Sequence, residues 1–285
     1  MKKLVKHLVD ILVRNNAFWS LCKPILDNPV RHIDIRRGVF YPQEYSSTAV
    51  NDELVAKVIN EKIEDLVVRN GPFKGMRYPR ATSMCSTIFP KLLGSYEREL
   101  DEIVESICGK EYSNIIDIGC AEGYYAVGLA MRVKSARVFA YDIDESAAEQ
   151  CANMAKINGV SDRVTVSGLF DPAIEKEKLQ KGKVLVVSDC EGAEKHLFTS
   201  TNRDLYRGCE LLIETHDFID IDISSMLKET FSSSHKIISI SSLDDIQKID
   251  KYSYPEILEY SRSEQRVLLA ERRPAIMEWL YLTPK

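Results

Sequence analysis

The 285 residues are 45% hydrophobic, so the chain can bury the core of one large α/β domain and still carry an extension. Its net charge of −5 includes no basic excess, and we therefore expect no nucleic-acid partner. The seven cysteines form no Cys-x-x-Cys pair, which favours small core residues in a reducing cytoplasm. No apolar run has the length that a transmembrane segment needs.

Residues 1–95 are predicted to form a mainly helical accessory region that could contact the substrate or a second copy in a homodimer. Its first apolar residues recur at helical spacing between charged ones, which predicts an amphipathic helix rather than a signal sequence; they are Leu4, Leu8, Ile11 and Leu12. Such a helix packs on the domain or on a partner, or it lies on a membrane surface. Further helices are predicted over residues 52–66 and 92–108, and a short hairpin or edge strand over residues 73–79.

Residues 96–285 are predicted to form the main domain, in which strands and helices alternate. The predicted strands cover residues 115–118, 137–141, 164–166, 184–188, 210–213, 236–240 and 266–270. The predicted helices cover residues 124–133, 145–158, 194–198 and 222–231. Residues 241–265 carry charge and little apolar periodicity, so we expect an exposed loop or hairpin connection there. The alternation predicts an α/β fold with a doubly wound, mostly parallel seven-stranded sheet.

A glycine-bearing turn, Asp117-Ile-Gly119-Cys-Ala-Glu-Gly123, follows the first strand. The GxGxxG pattern of a dinucleotide site is absent, and no Lys-Ser or Lys-Thr follows as in a P-loop. S-adenosylmethionine (SAM) is zwitterionic and needs no phosphate cradle, so it fits this turn. Asp117 could lie near the methionyl ammonium of SAM, or it could be a polar strand end. The predicted cofactor contacts of the turn are Asp117, Gly119, Cys120, Ala121, Gly123 and Tyr124.

The second strand ends at Asp142, whose carboxylate can accept hydrogen bonds from both ribose hydroxyls of the cofactor. Sites for NAD place an acid similarly, so Asp142 alone does not decide the cofactor. Ile143 follows as a further predicted contact. After the third strand, Gly168 permits close approach to the adenine, and Leu169 or the next residue, Phe170, could cover the ring or fill the core.

Acidic residues and a histidine follow the fourth and fifth strands, whose ends are neighbours in a doubly wound sheet. They are Asp189, Glu191, Glu194, Glu214 and His216. Glu191, Glu214 and His216 are the predicted catalytic residues, because a base there could take the proton of a substrate hydroxyl. Asp189 is also a predicted cofactor contact. Alternatively, Asp189, Glu214 and His216 could bind a hard divalent metal, Glu191 and Glu194 could cap the following helix, and His216 could be structural.

Together these residues resemble the class I SAM-dependent methyltransferases over roughly residues 95–275. Within that superfamily, the segment Asp189-Cys-Glu-Gly-Ala-Glu194 followed by Ile213-Glu-Thr-His216 resembles the FkbM-like group. This resemblance implies methyl transfer, commonly to a hydroxyl of a sugar, glycan or natural product, and a sheet whose last strand is antiparallel. Leu169 departs from the acid, and Cys190 from the aliphatic residue, that stand at these positions in many relatives.

The sequence therefore predicts a SAM-dependent methyltransferase, with O-methylation favoured, although an enzyme methylating nitrogen or carbon would have the same pattern. Two alternatives stay open: a non-catalytic SAM-binding partner subunit, and a nicotinamide-dependent oxidoreductase. The missing GxGxxG pattern disfavours the oxidoreductase.

Overall fold

A computed structural model describes residues 49–285 of the chain. The predicted amphipathic helix at the start of the chain, and any dimer contact that it makes, lie outside the described residues. No described helix has the length and apolar character that crossing a membrane requires.

A sheet of seven strands forms the centre of the described chain. The strands are β1 (Asn114–Ile118), β2 (Arg137–Tyr141), β3 (Val164–Ser167), β4 (Val184–Ser188), β5 (Cys209–Thr215), β6 (His235–Ser241) and β7 (Glu278–Pro284). Their order is β3-β2-β1-β4-β5-β7-β6. β7 runs antiparallel to both of its neighbours, whereas the other pairs are parallel. The predicted doubly wound sheet with an antiparallel last strand is confirmed.

Helices flank this sheet. Those of the described residues are α1 (Ala49–Lys62), α2 (Ile88–Leu93), α3 (Asp101–Cys108), α4 (Tyr124–Arg132), α5 (Glu145–Ile157), α6 (Lys176–Leu179), α7 (Glu194–Leu197), α8 (Ile223–Phe231), α9 (Asp245–Lys251) and α10 (Arg262–Leu269). Short 3₁₀ turns lie at Arg98–Leu100, Arg203–Tyr206 and Pro255–Ile257.

The central strands are apolar because both faces of the sheet are covered. In β4, Leu185 and Val187 join one hydrophobic cluster, whereas Val184 and Val186 join the cluster on the opposite face. This burial on both sides explains why the strand is a continuous apolar run rather than an alternating pattern.

The last predicted strand, residues 266–270, is wrong. These residues belong to α10, which begins with a capping box between Ser261 and Glu264. The apolar residues Leu268 and Leu269 are fully buried at the end of this helix. The true last strand is β7.

The predicted loop over residues 241–265 is also wrong, since it contains α9, which Asp244 caps with its side chain. Lys248 of α9 is fully buried and forms an ion pair with Glu271. A buried lysine on the inner face of a helix conceals the apolar periodicity from which a helix is predicted.

Two predictions before the sheet need correction. The helix over residues 92–108 is interrupted, because α2 ends at Gly94 in the left-handed conformation and α3 begins only after a 3₁₀ turn. Residues 73–79 form no regular strand, and the predicted short hairpin is reduced to one antiparallel bridge between Val67 and Arg77.

The described residues from Glu53 onward form one compact unit. Its main hydrophobic cluster includes side chains that precede the sheet by many residues, such as Val58, Ile63 and Phe73, together with Ile115 of β1. A domain boundary near residue 95 stays a prediction.

Candidate active site

A cavity of about 450 Å³ opens at the carboxyl ends of the central strands, within the size range of small-molecule sites. The predicted site residues that line it are Gly119, Ala121, Asp142, Ile143, Gly168, Leu169, Asp189, Glu191, Glu214 and His216. The topology therefore brings the residues after β1, β2, β3, β4 and β5 to one place.

The other predicted contacts, which do not line the cavity, are Asp117, Cys120, Gly123 and Tyr124. Tyr124 is 8% exposed and packs edge-on against Phe73 and Tyr96, with both pairs of ring centroids 5.1 Å apart. Burial, with the nearby carboxylate of Asp189, raises the pKa of Asp117 to about 8. One oxygen of this buried carboxyl, Oδ2, has no hydrogen-bond partner among the described residues. For all four of these residues, contact with a cofactor stays a prediction.

The turn after β1 fits closely against the end of β4. Gly119 has a φ of +80°, and a Cβ built on it would lie 1.8 Å from the backbone oxygen of Asp189. Any side chain at this position would therefore push the two strand ends apart.

The same turn fixes the carboxylate of Asp142. Its Oδ2 accepts a hydrogen bond from the backbone N–H of Ala121 at 2.9 Å, and its Oδ1 accepts one from the N–H of Asp144 at 2.9 Å. Asp144 caps α5 through its own side chain. Each carboxylate oxygen keeps a further lone pair, so the oriented group can still accept hydrogen bonds from two hydroxyls in the cavity.

Two large apolar side chains line the cavity beside Asp142 although they are largely exposed. Ile143 is 80% exposed and Leu169 is 77% exposed. A Cβ built on Gly168 would meet no atom within 4 Å, so the wall has open space at that point. Phe170 instead is buried against Tyr141 and belongs to the core. This part of the cavity suits a flat, partly apolar ring.

The opposite end of the cavity is acidic and is centred on the buried ring of His216. Its Nδ1 is hydrogen-bonded to Oε1 of Glu194. Its Nε2 lies 3.4 Å from Oδ1 of Asp189 and 3.7 Å from both Oε2 of Glu191 and Oε2 of Glu214. No side chain caps α7, and Glu194 binds the imidazole instead.

These contacts determine the protonation of the histidine. Burial alone lowers the pKa of His216, but the interactions with the carboxylates of Asp189 and Glu194 outweigh it and raise the pKa to about 11. The imidazole therefore carries two protons near neutral pH. Partial desolvation and the charge of Asp189 raise the pKa of Glu191, although this is the most exposed carboxylate of the group, with a side chain 62% exposed.

Arg273 is a site residue that the sequence interpretation missed. Its guanidinium forms ion pairs with Glu214, Glu97 and Glu271. The incorrect prediction of a strand over residues 266–270 drew attention away from the loop that follows. The signal that could have found it is a run of charged residues and Pro274 just before the apolar strand β7.

The backbone around the cavity is strained. The cavity-lining residues other than glycine that have a positive φ of +46° to +55° are Cys85, Ala121, Glu191 and Arg272. A further one, Glu97, contacts Arg273. Strained non-glycine residues persist where the surrounding structure fixes them, and they concentrate at ligand sites.

Residues 98–188 match the family model of ribosomal protein L11 methyltransferase (PrmA). The matched segment is about a third of the chain and includes the turn after β1 and the residues after β2 and β3. It supports the prediction of a SAM-dependent methyltransferase. The FkbM-like resemblance of the segments after β4 and β5 stays a prediction. A search of curated proteins found no match to this chain.

Solved structures of methyltransferases are similar to the chain at low identity. A SAM-dependent O-methyltransferase from Thermotoga maritima has 15% identity and a TM-score of 0.42, with 64% of this chain and 63% of that chain covered. Precorrin-6y C5,15-methyltransferase from Geobacter metallireducens has 12% identity and a TM-score of 0.42, with 65% and 89% covered. The M1A22 tRNA methyltransferase TrmK of B. subtilis has 10% identity and a TM-score of 0.40, with 64% of each chain covered. The fold of the present chain is established by its own strand order.

Proposed function

We propose that this protein transfers the methyl group of SAM to a hydroxyl oxygen of an acceptor. The observation that carries the proposal is the carboxylate of Asp142, which two backbone N–H groups hold at the wall of a cavity at the ends of the parallel strands. Ribose hydroxyls would bind this carboxylate, and the adenine would lie between Ile143 and Leu169. The methyl group would then point toward the acidic end.

The reaction is a displacement at carbon. A lone pair of the acceptor oxygen attacks the methyl carbon, the C–S bond breaks, and its electrons return to the sulfonium sulfur to give S-adenosylhomocysteine. The hydroxyl proton must leave to a base. The protein contributes mainly by holding oxygen, carbon and sulfur in line, which is worth several kcal/mol in oriented reactions, up to roughly 7–11.

Glu191 is the proton acceptor that the geometry favours. It is the most exposed carboxylate at the acidic end, and partial desolvation together with the charge of Asp189 raises its pKa toward the range in which a general base works well. His216 is already protonated near neutral pH, so in our proposal it orients the carboxylates. Glu214 faces His216 with one carboxylate oxygen, and its other oxygen forms an ion pair with Arg273.

The carboxylates at the acidic end of the cavity also indicate the chemical class of the acceptor. Carboxylates accept hydrogen bonds but cannot donate them, so a polyhydroxylated acceptor such as a sugar or glycan suits it. The FkbM-like resemblance of residues 189–194 and 213–216 supports O-methylation of such a group or of a natural product.

Calorimetric titration with S-adenosylhomocysteine tests the binding half of the proposal. We expect saturable binding, and Asp142→Ala should weaken it by about 3–6 kcal/mol, the value of two hydrogen bonds to a charged group. Asp162→Ala, an exposed carboxylate outside the cavity, is the matched control and should bind normally.

Transfer of a labelled methyl group from SAM to sugars or other hydroxyl compounds tests the catalytic half. Binding without transfer to any acceptor would favour the non-catalytic partner subunit. Affinity for NAD without affinity for S-adenosylhomocysteine would favour the oxidoreductase and refute the proposal.

A further inference from the structure

We infer that the acidic end of the cavity binds a divalent first-row metal ion on Asp189, Glu214 and His216. The binding site is argued from these side chains alone. Its role in the reaction, which is to hold the acceptor oxygen and favour loss of its proton, rests on the proposed function.

The spacing of the ligand atoms fits a metal ion better than direct hydrogen bonds. One atom from each of the three residues lies within 4.8 Å of the others. Nε2 of His216 is 3.4 Å from Asp189 Oδ1 and 3.7 Å from Glu214 Oε2. Metal–ligand bonds of about 2.0–2.3 Å place neighbouring ligands roughly 2.8–3.8 Å apart in octahedral or tetrahedral geometry.

On His216 and Glu214, the side-chain atoms that point away from the three-residue cluster already have partners. Their remaining ligand atoms therefore face the centre of the cluster. His216 is 1% exposed, and its Nδ1 is bound to the fully buried carboxylate of Glu194. Metal-binding histidines are commonly oriented by such a carboxylate on the far ring nitrogen. The outer oxygen of Glu214, Oε1, is bound to Arg273, so its Oε2 points to His216.

An unpaired atom provides an independent observation. Oδ1 of Asp189 is inaccessible to solvent and makes no hydrogen bond of good geometry among the described residues, although Nε2 of His216 lies 3.4 Å away. A buried carboxylate oxygen without a partner costs free energy, because it loses its hydration without compensation. A bound cation would supply the missing partner, and it would replace the proton on Nε2 of His216, because an imidazole nitrogen binds a metal only after it has lost its proton.

The charge at this end of the cavity also favours a cation. Four carboxylates surround the ring of His216, namely those of Asp189, Glu191, Glu194 and Glu214. The guanidinium of Arg273 reaches one of them and is shared with Glu97 and Glu271. The set therefore has an excess of negative charge that a divalent ion would reduce.

The ligand types indicate which ions bind best. Carboxylates accept many divalent ions, whereas imidazole prefers first-row transition ions to Mg²⁺ or Ca²⁺. We therefore expect Mn²⁺ and Zn²⁺ to bind more tightly than Mg²⁺, with Zn²⁺ ahead of Mn²⁺.

Titration of the purified full chain with Mn²⁺, followed by electron spin resonance of the free ion, tests the site. We expect one saturable Mn²⁺ per chain. Glu214→Gln and His216→Gln should each weaken binding by more than tenfold, and Glu194→Gln by about 10–100-fold, since it only orients the histidine. Asp220→Asn, which removes an exposed carboxylate paired with Lys195, should leave Mn²⁺ binding unchanged.

Spin-echo measurements on wild-type protein with bound Mn²⁺ provide a test that depends on no variant. Coupling to an imidazole nitrogen is expected, and its absence would overturn the assignment. The absence of saturable Mn²⁺ binding would overturn it too, as would equal binding by the Glu214 and His216 variants. Titration with S-adenosylhomocysteine in parallel separates the two proposals: normal affinity without Mn²⁺ binding refutes the metal site alone, and Mn²⁺ binding without that affinity refutes the proposed function alone.

Discussion

Asp142 illustrates how neighbouring backbone groups can set the direction of one side chain. The N–H groups of Ala121 and Asp144 bind its two oxygens, and Ala121 reaches that position only with a φ of +46°. The sequence places an acid at the end of β2, but the strained residue that orients it becomes visible only in three dimensions.

The space beside Gly168 can be tested with a substitution. A Cβ there meets nothing within 4 Å, so Gly168→Val should leave the free energy of unfolding nearly unchanged. The added methyl groups should occupy the place of the adenine and lower the affinity for S-adenosylhomocysteine by at least tenfold, measured by calorimetry. Gly208→Val, at an equally open glycine outside the cavity, should bind normally. Unchanged affinity in Gly168→Val would place the adenine elsewhere.

The proposed base can be tested in the same way. Glu191→Gln keeps the shape of the side chain but removes its ability to take a proton. Loss of a general base typically slows turnover by about 10²–10⁴-fold, and we expect this loss in kcat for labelled methyl transfer. Affinity for S-adenosylhomocysteine should stay within about twofold of wild type. Full turnover in this variant would assign the proton to another group or to water.

At the scale of elements, residues 84–86 line the cavity, and the segment that contains them is held in place by one buried ion pair. Glu122, in the turn after β1, binds Lys91 of α2 at 2.6 Å, with both side chains almost fully buried. The same carboxylate accepts hydrogen bonds from Ser83 Oγ at 2.7 Å and from the N–H of Met84 at 3.0 Å. Burial favours its neutral form, but Lys91 outweighs this effect and lowers the pKa of Glu122.

Breaking this pair should loosen the segment over the cavity. Removal of one partner of a buried ion pair typically costs about 3–5 kcal/mol, so Glu122→Gln should lower the free energy of unfolding by an amount near that range. It should also speed amide exchange at Met84 and dissociation of S-adenosylhomocysteine. Glu105→Gln breaks an exposed pair with Arg132 and should cost about 1 kcal/mol or less. Equal effects of the two variants would contradict the role of the buried pair.

The predicted elements failed where charged residues are buried. Lys248 on α9 pairs with Glu271, and Glu271 contacts Arg273, which also reaches Glu97. These partners lie far apart in sequence, so no local window shows that each charge is neutralised inside the fold. Strands such as β4 were predictable because burial on both faces requires an unbroken apolar run.

At the scale of the molecule, the candidate site was largely predictable because parallel strands share one edge. The turn after β1, Asp142, Gly168 and the acids after β4 could all be placed there from the sequence pattern. Arg273 could not, because it reaches the site from a loop after α10, which we predicted to be a strand. The protonated state of His216 was hidden for a related reason, since it depends on Asp189 and Glu194, which reach the ring from the segment after the neighbouring strand β4.

Acid stability provides a prediction for the whole fold. Burial alone raises the pKa of Glu210, but hydrogen bonds from Lys110, Tyr281, Lys183 and Tyr112 lower it to about 2. The unfolded carboxyl titrates near pH 4.3, so the unfolded chain binds more protons between these values. The stabilisation is therefore present above about pH 4.3 and is lost as pH falls toward 2, by roughly 3 kcal/mol.

Urea unfolding of wild type and Glu210→Gln across this range would measure the effect. The variant should be less stable at pH 7, and the difference from wild type should shrink as pH falls from about 5 toward 2. Glu149→Gln, at an exposed position, is the control. A difference that stays constant with pH would show that the charge of Glu210 has no such role.

Two segments that are far apart in sequence meet beside the cavity, and we call them its roof. Thr87 Oγ1 donates a hydrogen bond to the backbone oxygen of Ala270 at 2.8 Å across a separation of 183 residues, next to Cys85, Ser86 and Arg273 in the cavity wall. A small molecule seated beneath this roof would touch both segments and act as a removable crosslink between them. Because it would bind only the folded chain, its binding would raise the free energy of unfolding. The lifetime of the protein in a cell would follow the supply of that molecule.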